Sequence, residues 1–345
     1  MNLKYLVIRM SSLGDVVLAT PVAIALKHAD PTCEVHFLTE SQYAPILENG
    51  PWFDRVIPYD KRGFDAGMVG IIRISNILRA EKYDVTIDLQ HKVRSVLLAT
   101  LSGAVGRIVM RKRTLRGGIR GIAGVGFSKP EIHAVDMYLG VLEQLGIFLS
   151  VRTPWVGVDP VDLSRMVEKL GGKKGHRAPV VGINTGAGNA TKRVPVPIAM
   201  AVARRLQDAK IGVVLLGGRS DSGFMHQISS GLEFSPVLTT QHCSLKELVA
   251  VVSELDVLVS GDSGPIHLAS AFGVPTVALF GPTSPKRWGP LSPFNEVIVS
   301  RLECAPCSNY GGMKCPKGLD TECMKTMASE TIVSAVKGFL GDGRI

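Results

Sequence analysis

Short apolar runs rich in Val, Ile and Leu alternate with helix-patterned stretches along most of this chain, and that alternation restricts the fold more than any other feature. The runs fall at 4–9, 34–39, 54–59 and 84–89, and helical patterns follow them at 15–28, 41–48, 67–81 and 92–102. Strands spaced by amphipathic helices in this way build a parallel sheet covered on both faces. A helix over His133–Leu145 closes this half before Gly146. The rhythm restarts at Val180, with strands near 180–184, 212–216, 256–260 and 275–280 and helices at 196–208, 222–231 and 244–254. Between the halves, "VRTPWVGVDPVDLSRMVEKLGGKKGHRAP" breaks the pattern with Pro, Gly and basic residues, as a linker does. The expected class is α/β, with two doubly wound domains over 1–150 and 179–325 and a linker over 151–178. The two sheets would face a cleft lined by loops at the strand C-terminal ends. A final amphipathic helix, Thr326 to Leu340, is expected within 326–345.

At 345 residues the chain exceeds the size at which a single core usually stops growing, in keeping with two domains. No apolar run reaches the roughly 18 residues of a membrane span. The N-terminus enters a strand containing Arg9 with no small-residue cleavage site, so a cytoplasmic protein is expected.

The charge is unevenly spread. Between Leu89 and Pro130 there is no Asp or Glu, and Lys92, Arg94, Arg107, Arg111, Lys112, Arg113, Arg116, Arg120 and Lys129 account for the whole formal excess of +9. Such a field faces a phosphorylated glycolipid, an anionic bilayer or a nucleic acid, unless it serves only solubility. No nucleic-acid partner is expected, because Phe127 is the single aromatic in the window and offers little for base stacking.

Four loops carry candidate chemistry. In "RMSSLGDVVLATP", residues 9–21, the chain leaves the first strand, turns on Gly14 and enters a helix with Asp15 at its start. A helix start favours negative charge, and here the chain supplies its own carboxylate, as a cap, a reagent or both. In "DVLVSGDSGPIHLASAFGVPTVALFGPTSP", residues 256–285, Asp262 and Ser263 stand where a helix is capped and Pro265 suits its first turn. The N–H groups of Ser263 and Gly264 would serve a diphosphate. His267, one turn on, is either a ligand contact or a structural histidine. In "VVGINTGAGNATKRVPVP" a Gly-containing loop follows the strand and Lys192 offers a counter-charge to phosphates. In "LLGGRSDSG", Asp221 follows a strand, where a carboxylate accepts ribose hydroxyls.

Four of the six cysteines cluster as Cys304, Cys307, Cys315 and Cys323. In a cytoplasmic chain this spacing reads as a structural Zn or Fe site, or as reduced, unliganded thiols, more than as disulfides.

Together these segments resemble the ADP-heptose:lipopolysaccharide heptosyltransferases, the glycosyltransferase family 9 enzymes of GT-B architecture. The likeness rests on Ser11-Ser12-Leu13-Gly14-Asp15 with Pro21, Gly186-Ala187 with Lys192, Gly217-Gly218 with Asp221, and Gly261-Asp262-Ser263-Gly264 through Gly281-Pro282-Thr283, and it includes "EIHAVDMYLGVLEQLGI". It departs at Thr185 and Val194, where the family commonly has Pro and Trp. The resemblance implies inverting transfer of heptose from ADP-heptose to the lipopolysaccharide inner core, either Kdo-lipid A or heptosyl-Kdo-lipid A. It implies no cofactor for catalysis. Cys-rich loops like this one occur in the family, and in some protein-modifying relatives they bind iron.

By position, the resemblance makes Asp15 the general base. By the same resemblance Lys192 would hold the diphosphate and Asp262, Ser263 and Gly264 would form the donor loop; the reading of the residues themselves adds Gly186, Asp221 and His267 to the donor side. The acceptor side is assigned to Ser12, Lys92, Arg94, Arg111, Lys112, Arg113, Arg116 and Arg120, facing the lipid acceptor and the inner-membrane surface. Three rivals stand beside this reading: a glycosyltransferase using another nucleotide sugar or a protein acceptor, a sugar-nucleotide epimerase, and a nucleic-acid module.

Overall fold

The structure is a computed structural model, and it describes residues 2–110, 131–149 and 151–341. The chain divides into two compact units, Met1–Arg152 and Thr153–Ile345.

In the first unit the expected rhythm appears as β1 (Lys4–Ile8), α1 (Leu13–Ala29), β2 (Glu34–Glu40), β3 (Arg55–Tyr59), α2 (Gly67–Ala80), β4 (Val85–Asp88), α3 (Val93–Leu101), β5 (Gly106–Val109) and α4 (Ala134–Leu139). The strands form one sheet in the order β3-β2-β1-β4-β5, every pair parallel. The central strand β1 is flanked on both sides, which is why Leu6, Val7 and Ile8 are all buried. Helix α1 is buried from Val16 through Leu26, as its almost unbroken apolar sequence requires. Pro21 lies inside it and cannot donate to the carbonyl four residues back. The Thr20 hydroxyl donates to that Val17 carbonyl instead, at 2.8 Å, so the bend leaves no orphan acceptor.

Three sequence expectations change here. The helix expected at 41–48 is a single 3₁₀ turn, Ala44–Ile46. Strand β5 was hidden because Gly106 and Arg107 interrupt its apolar run. The closing helix of this half is α4 continued by a 3₁₀ turn over Gly140–Leu145.

At the strand N-terminal edge, Glu34, His36 and Glu81 hold potential ligand atoms within 4.8 Å of one another, the one such group among the described residues. The Lys4 ammonium lies 2.9 Å from Glu34 and 2.6 Å from Glu81, Arg55 pairs with Glu81, and Tyr83 and Glu34 take the two His36 ring nitrogens. Protein cations already occupy this group, and it serves as a structural ion network.

The second unit runs α5 (Pro160–Lys169), β6 (Val180–Asn184), α6 (Val196–Asp208), β7 (Gly212–Leu216), α7 (Ser222–Ser230), β8 (Leu238–Thr239), α8 (Leu245–Ser253), β9 (Val257–Gly261), α9 (Gly264–Ala271), β10 (Thr276–Phe280), α10 (Pro285–Trp288), β11 (Asn295–Val299), α11 (Glu322–Lys325) and α12 (Ser329–Leu340). The sheet order is β11-β10-β9-β6-β7-β8, again parallel throughout. The last helix packs Ile332, Val333 and Val336 into the core with Leu206 and Val257.

The stretch expected as linker is structured. Asp159 caps α5, accepting from the Val161 and Asp162 N–H groups. Arg177 is buried against Asp256 at 2.9 Å and also donates to the Gly172, Ala178 and Glu254 carbonyls, which fixes the entry into β6. The edge strands β8 and β11 escaped the sequence reading because one has two residues and the other, Asn-Glu-Val-Ile-Val, mixes polar with apolar.

Candidate active site

In a parallel sheet, strand C-termini and the following helix N-termini share one edge, and ligands bind there. Each unit gathers its candidates at that edge.

In the first unit Arg9 directly follows β1, and its guanidinium does three things. It donates to the Leu89 carbonyl at 2.7 Å, pairs with Asp15 Oδ1 at 2.6 Å and stacks over the Tyr138 ring at 5.2 Å. Asp15 is the third residue of α1. Its Oδ1 also accepts the Tyr138 hydroxyl at 2.7 Å, while Oδ2 accepts the Ser12 N–H at 3.2 Å and the Ser12 hydroxyl at 2.9 Å. A carboxylate has about four acceptor positions, and all are engaged.

Burial alone would raise the pKa of Asp15. The Arg9 charge outweighs it, together with the hydrogen bonds from Tyr138, Arg9 and Ser12, and holds the carboxyl below its ordinary value. The group is therefore ionised at neutral pH, as a proton acceptor must be. Asp15 is thus held at both oxygens, beyond what a helix cap requires. An incoming hydroxyl has to take the place of the Ser12 hydroxyl, the one donor of the four that leaves by a simple rotation.

Other residues build this edge. Gln90 Oε1 accepts the N–H groups of Met10 (3.0 Å) and Ser11 (3.2 Å), holding the loop that carries Ser12. Asp88 is buried and accepts from the N–H groups of Gln90 and His91 and from the Ser95 hydroxyl, which fixes the start of α3. Lys92 precedes α3 and is exposed, and Arg94 lies 5.7 Å above the Tyr59 ring. Of the expected acceptor residues, Ser12, Lys92 and Arg94 lie at this edge, whereas Arg111, Lys112, Arg113, Arg116 and Arg120 lie outside the described residues.

In the second unit the structure joins Lys192 to Asp262 at 3.2 Å, both largely buried. Neither Asp262 nor Ser263 makes a side-chain cap on α9, so simple capping does not account for the pair. The Ser263 hydroxyl accepts from Asn184 Nδ2 at 2.7 Å and donates to the Gly261 carbonyl at 3.2 Å. Asn184 Nδ2 also reaches the Gly186 carbonyl at 2.9 Å, tying the two candidate loops together. Pro265 has no N–H and the Ile266 N–H donates to the Ser263 carbonyl at 3.2 Å, so the candidate donors to an anion at this helix start are the N–H groups of Ser263 and Gly264.

Two glycines are there for space. A Cβ on Gly186 would stand 2.8 Å from the Asp221 carboxylate, and one on Gly311 would stand 2.7 Å from the Lys192 stem, at a backbone φ of +75°. Asp221 is partnered, with Oδ1 on Arg193 at 3.0 Å and Oδ2 on the Gly218 N–H at 3.0 Å, and Arg193 in turn lies 4.1 Å above the Phe224 ring. A ribose would have to share or displace Arg193. His267 is buried in α9.

The Cys-rich segment clasps these loops. The Thr191 N–H and hydroxyl both donate to the Gly312 carbonyl, the Gly312 N–H returns a bond to the hydroxyl at 2.8 Å, and Asn189 donates to the Tyr310 carbonyl. Cys307 and Ser308 N–H groups donate to the Pro282 carbonyl, and Trp288 Nε1 donates to the Asn309 carbonyl. Lys192 thus stands on a loop pinned from outside by residues 310–312. Cys304, Cys307, Cys315 and Cys323 line one small void. Backbone N–H groups, that of Lys317 foremost, lower the Cys315 thiol, while burial and the three neighbouring sulfurs raise Cys323.

Two parallel-sheet α/β units, one with an ionised carboxylate at its first helix start and the other with a lysine paired to an aspartate before a helix start, are those of a glycosyltransferase of the GT-B class. A family model described as glycosyltransferase family 9 (heptosyltransferase) matches residues 71–315, and the chain belongs to that family. It is 28% identical to lipopolysaccharide heptosyltransferase 3 of Escherichia coli strain K12 over 339 residues, 95% of each chain. A glycosyltransferase family 9 structure from Veillonella parvula superposes with a TM-score of 0.82 at 23% identity, covering 99% of this chain and 98% of the other. The E. coli ADP-heptose lipopolysaccharide heptosyltransferase II gives a TM-score of 0.77 at 21% identity, with 98% of both chains covered.

Proposed function

We propose that this protein transfers heptose from ADP-heptose, with inversion, to the inner core of lipopolysaccharide at the cytoplasmic face of the inner membrane. The observation that carries the reading is the Asp15 carboxylate, held ionised by Arg9 and Tyr138 at the edge of the sheet where a ligand binds. Asp15 takes the proton of the acceptor hydroxyl as that oxygen attacks the anomeric carbon. The bond from that carbon to the diphosphate breaks, and ADP leaves with the electron pair. Lys192 and the N–H groups of Ser263 and Gly264 stabilise the charge that grows on the departing diphosphate. Asp262 orients Lys192, and Asp221 with Arg193 takes the ribose. Lys92 and Arg94 meet the anionic acceptor.

The four thiols complete the proposal as holders of one structural Zn or Fe ion. Four sulfurs around one void fit that role by ligand type, and the lowered Cys315 thiol favours a thiolate. No three of them lie within 4.8 Å of one another, so ligation requires the side chains to turn inward. The ion would fasten the segment that pins the Lys192 loop and would take no part in transfer.

Isothermal titration with ADP, UDP and GDP tests the donor assignment. Preference for ADP supports it, and preference for UDP or GDP transfers the reading to another nucleotide sugar.

A further inference from the structure

The first unit presents large apolar side chains to solvent in one place. Phe64 is 77% exposed, Met68 60%, Val69 78% and Ile72 54%, and Val93 at the start of α3 is 80% exposed. Met68, Val69 and Ile72 stand on one stripe of α2 at helical spacing, opposite the buried Ile71, Ile74 and Leu78 that face the core. Phe64 is held beside them under the Arg73 guanidinium, 4.7 Å from its ring centroid. Scattered exposed apolar residues are ordinary, but a contiguous group that interrupts an otherwise amphipathic helix marks a contact surface.

The charges around the group select the partner. Arg62, Lys92 and Arg94 have no ion pair with any described residue, and α2 contains no acidic residue. Of the two acids in the loop before α2, Asp65 is buried on Arg73, and the more exposed Asp60 is engaged by the N–H groups of Gly63 and Phe64. Apolar side chains rimmed by cations that have no carboxylate partner suit the boundary between headgroups and acyl chains of an anionic bilayer. The group's position agrees. The C-terminus of β3 and the N-termini of α2 and α3 share the sheet edge that carries Asp15.

We infer that Phe64, Met68, Val69, Ile72 and Val93, rimmed by Arg62, Lys92 and Arg94, form the surface by which this protein docks on an anionic phospholipid bilayer. Its purpose rests on the proposed function: a lipid-anchored acceptor sits in the bilayer, and docking by this edge brings Asp15 to its sugar. The surface acts by insertion of apolar side chains as well as by charge, and it lies entirely within described residues.

The full-length protein is sedimented with vesicles of phosphatidylcholine alone and of phosphatidylcholine with phosphatidylglycerol. Compared variants are Met68→Ser/Val69→Ser and the control Val105→Ser, which is 92% exposed at the opposite sheet edge, just before β5. All three positions are exposed, so the substitutions leave the core intact. The expected result is binding to the anionic vesicles, weakened about tenfold or more in the double variant and unchanged in the control. Transfer to a vesicle-embedded acceptor falls in parallel, while transfer to the same acceptor stripped of its acyl chains stays level.

Wild-type vesicle binding by the double variant, equal binding to neutral vesicles, or a change in solution mass showing that the face joins two copies would each overturn the inference. The sedimentation result stands whether or not heptose is the sugar transferred, so failure of the two readings is separable.

Discussion

Replacing Asp15 by Asn changes one atom and separates the two roles of this residue. The amide oxygen still accepts from Arg9 and Tyr138 at the Oδ1 position, but an NH₂ group now meets the Ser12 N–H, donor against donor. The Arg9 side chain, 11% exposed, loses its counter-charge although it keeps the Leu89 carbonyl. Removing one partner of a buried pair costs about 3–5 kcal/mol, and the remaining acceptors put this case near about 3. For a unit of this size that is a fall of about 6–12 °C in melting midpoint, seen by scanning calorimetry. Transfer, assayed well below the midpoint, should fall by about 10²–10⁴ with the loss of the base. ADP affinity should hold, because every donor residue belongs to the other unit. A variant that melts early but transfers within about tenfold of wild type would refute the reasoning and leave Asp15 as a cap and ion-pair partner.

Tyr138→Phe leaves the charge and removes one donor, so the Asp15 pKa rises and the acid limb of the kcat profile moves to higher pH; an unmoved limb contradicts the assignment. The lowered pKa also predicts acid sensitivity. With a folded pKa below the ordinary 3.8, Asp15 contributes stability above about pH 4 that is lost as pH falls through the folded value, and the Asn variant should show a shallower acid melting profile. Lys192→Met should weaken ADP binding about 10–150-fold by titration, the worth of a charge-assisted hydrogen bond. If the thiols hold an ion, purified protein carries near-stoichiometric Zn or Fe by mass spectrometry, and a Cys304→Ser/Cys307→Ser variant loses it.

Much of this molecule was legible from residues because parallel strands buried on both faces must be continuously apolar. Runs such as Val-Val-Gly-Ile-Asn and Val-Leu-Val-Ser-Gly announce themselves as strands. The edge strands β5, β8 and β11 did not; β11, for one, is solvated on its outer side and tolerates Asn295 and Glu296. The linker misread has a similar cause: α5 has a single buried residue, Met166, and a strongly polar face, so it carries little hydrophobic signal.

In the candidate site, Asp15, Lys192 and Asp262 were readable as candidates because they stand beside Gly-containing turns. Arg9, Gln90, Asn184 and Tyr138 were not. Gln90, Asn184 and Tyr138 act on residues distant in sequence, Tyr138 across 123 positions, and no local pattern encodes such a bond. Arg9 alone left a trace, as a lone charge closing an apolar strand.

The central claim is heptose transfer, and one measurement addresses it: the mass of product after the protein is incubated with ADP-heptose and a set of defined truncated lipopolysaccharides. The account predicts gain of a single heptose on an inner-core acceptor, with ADP released in equal amount. No mass gain on any acceptor in the set, by protein that is folded and binds ADP, would contradict it.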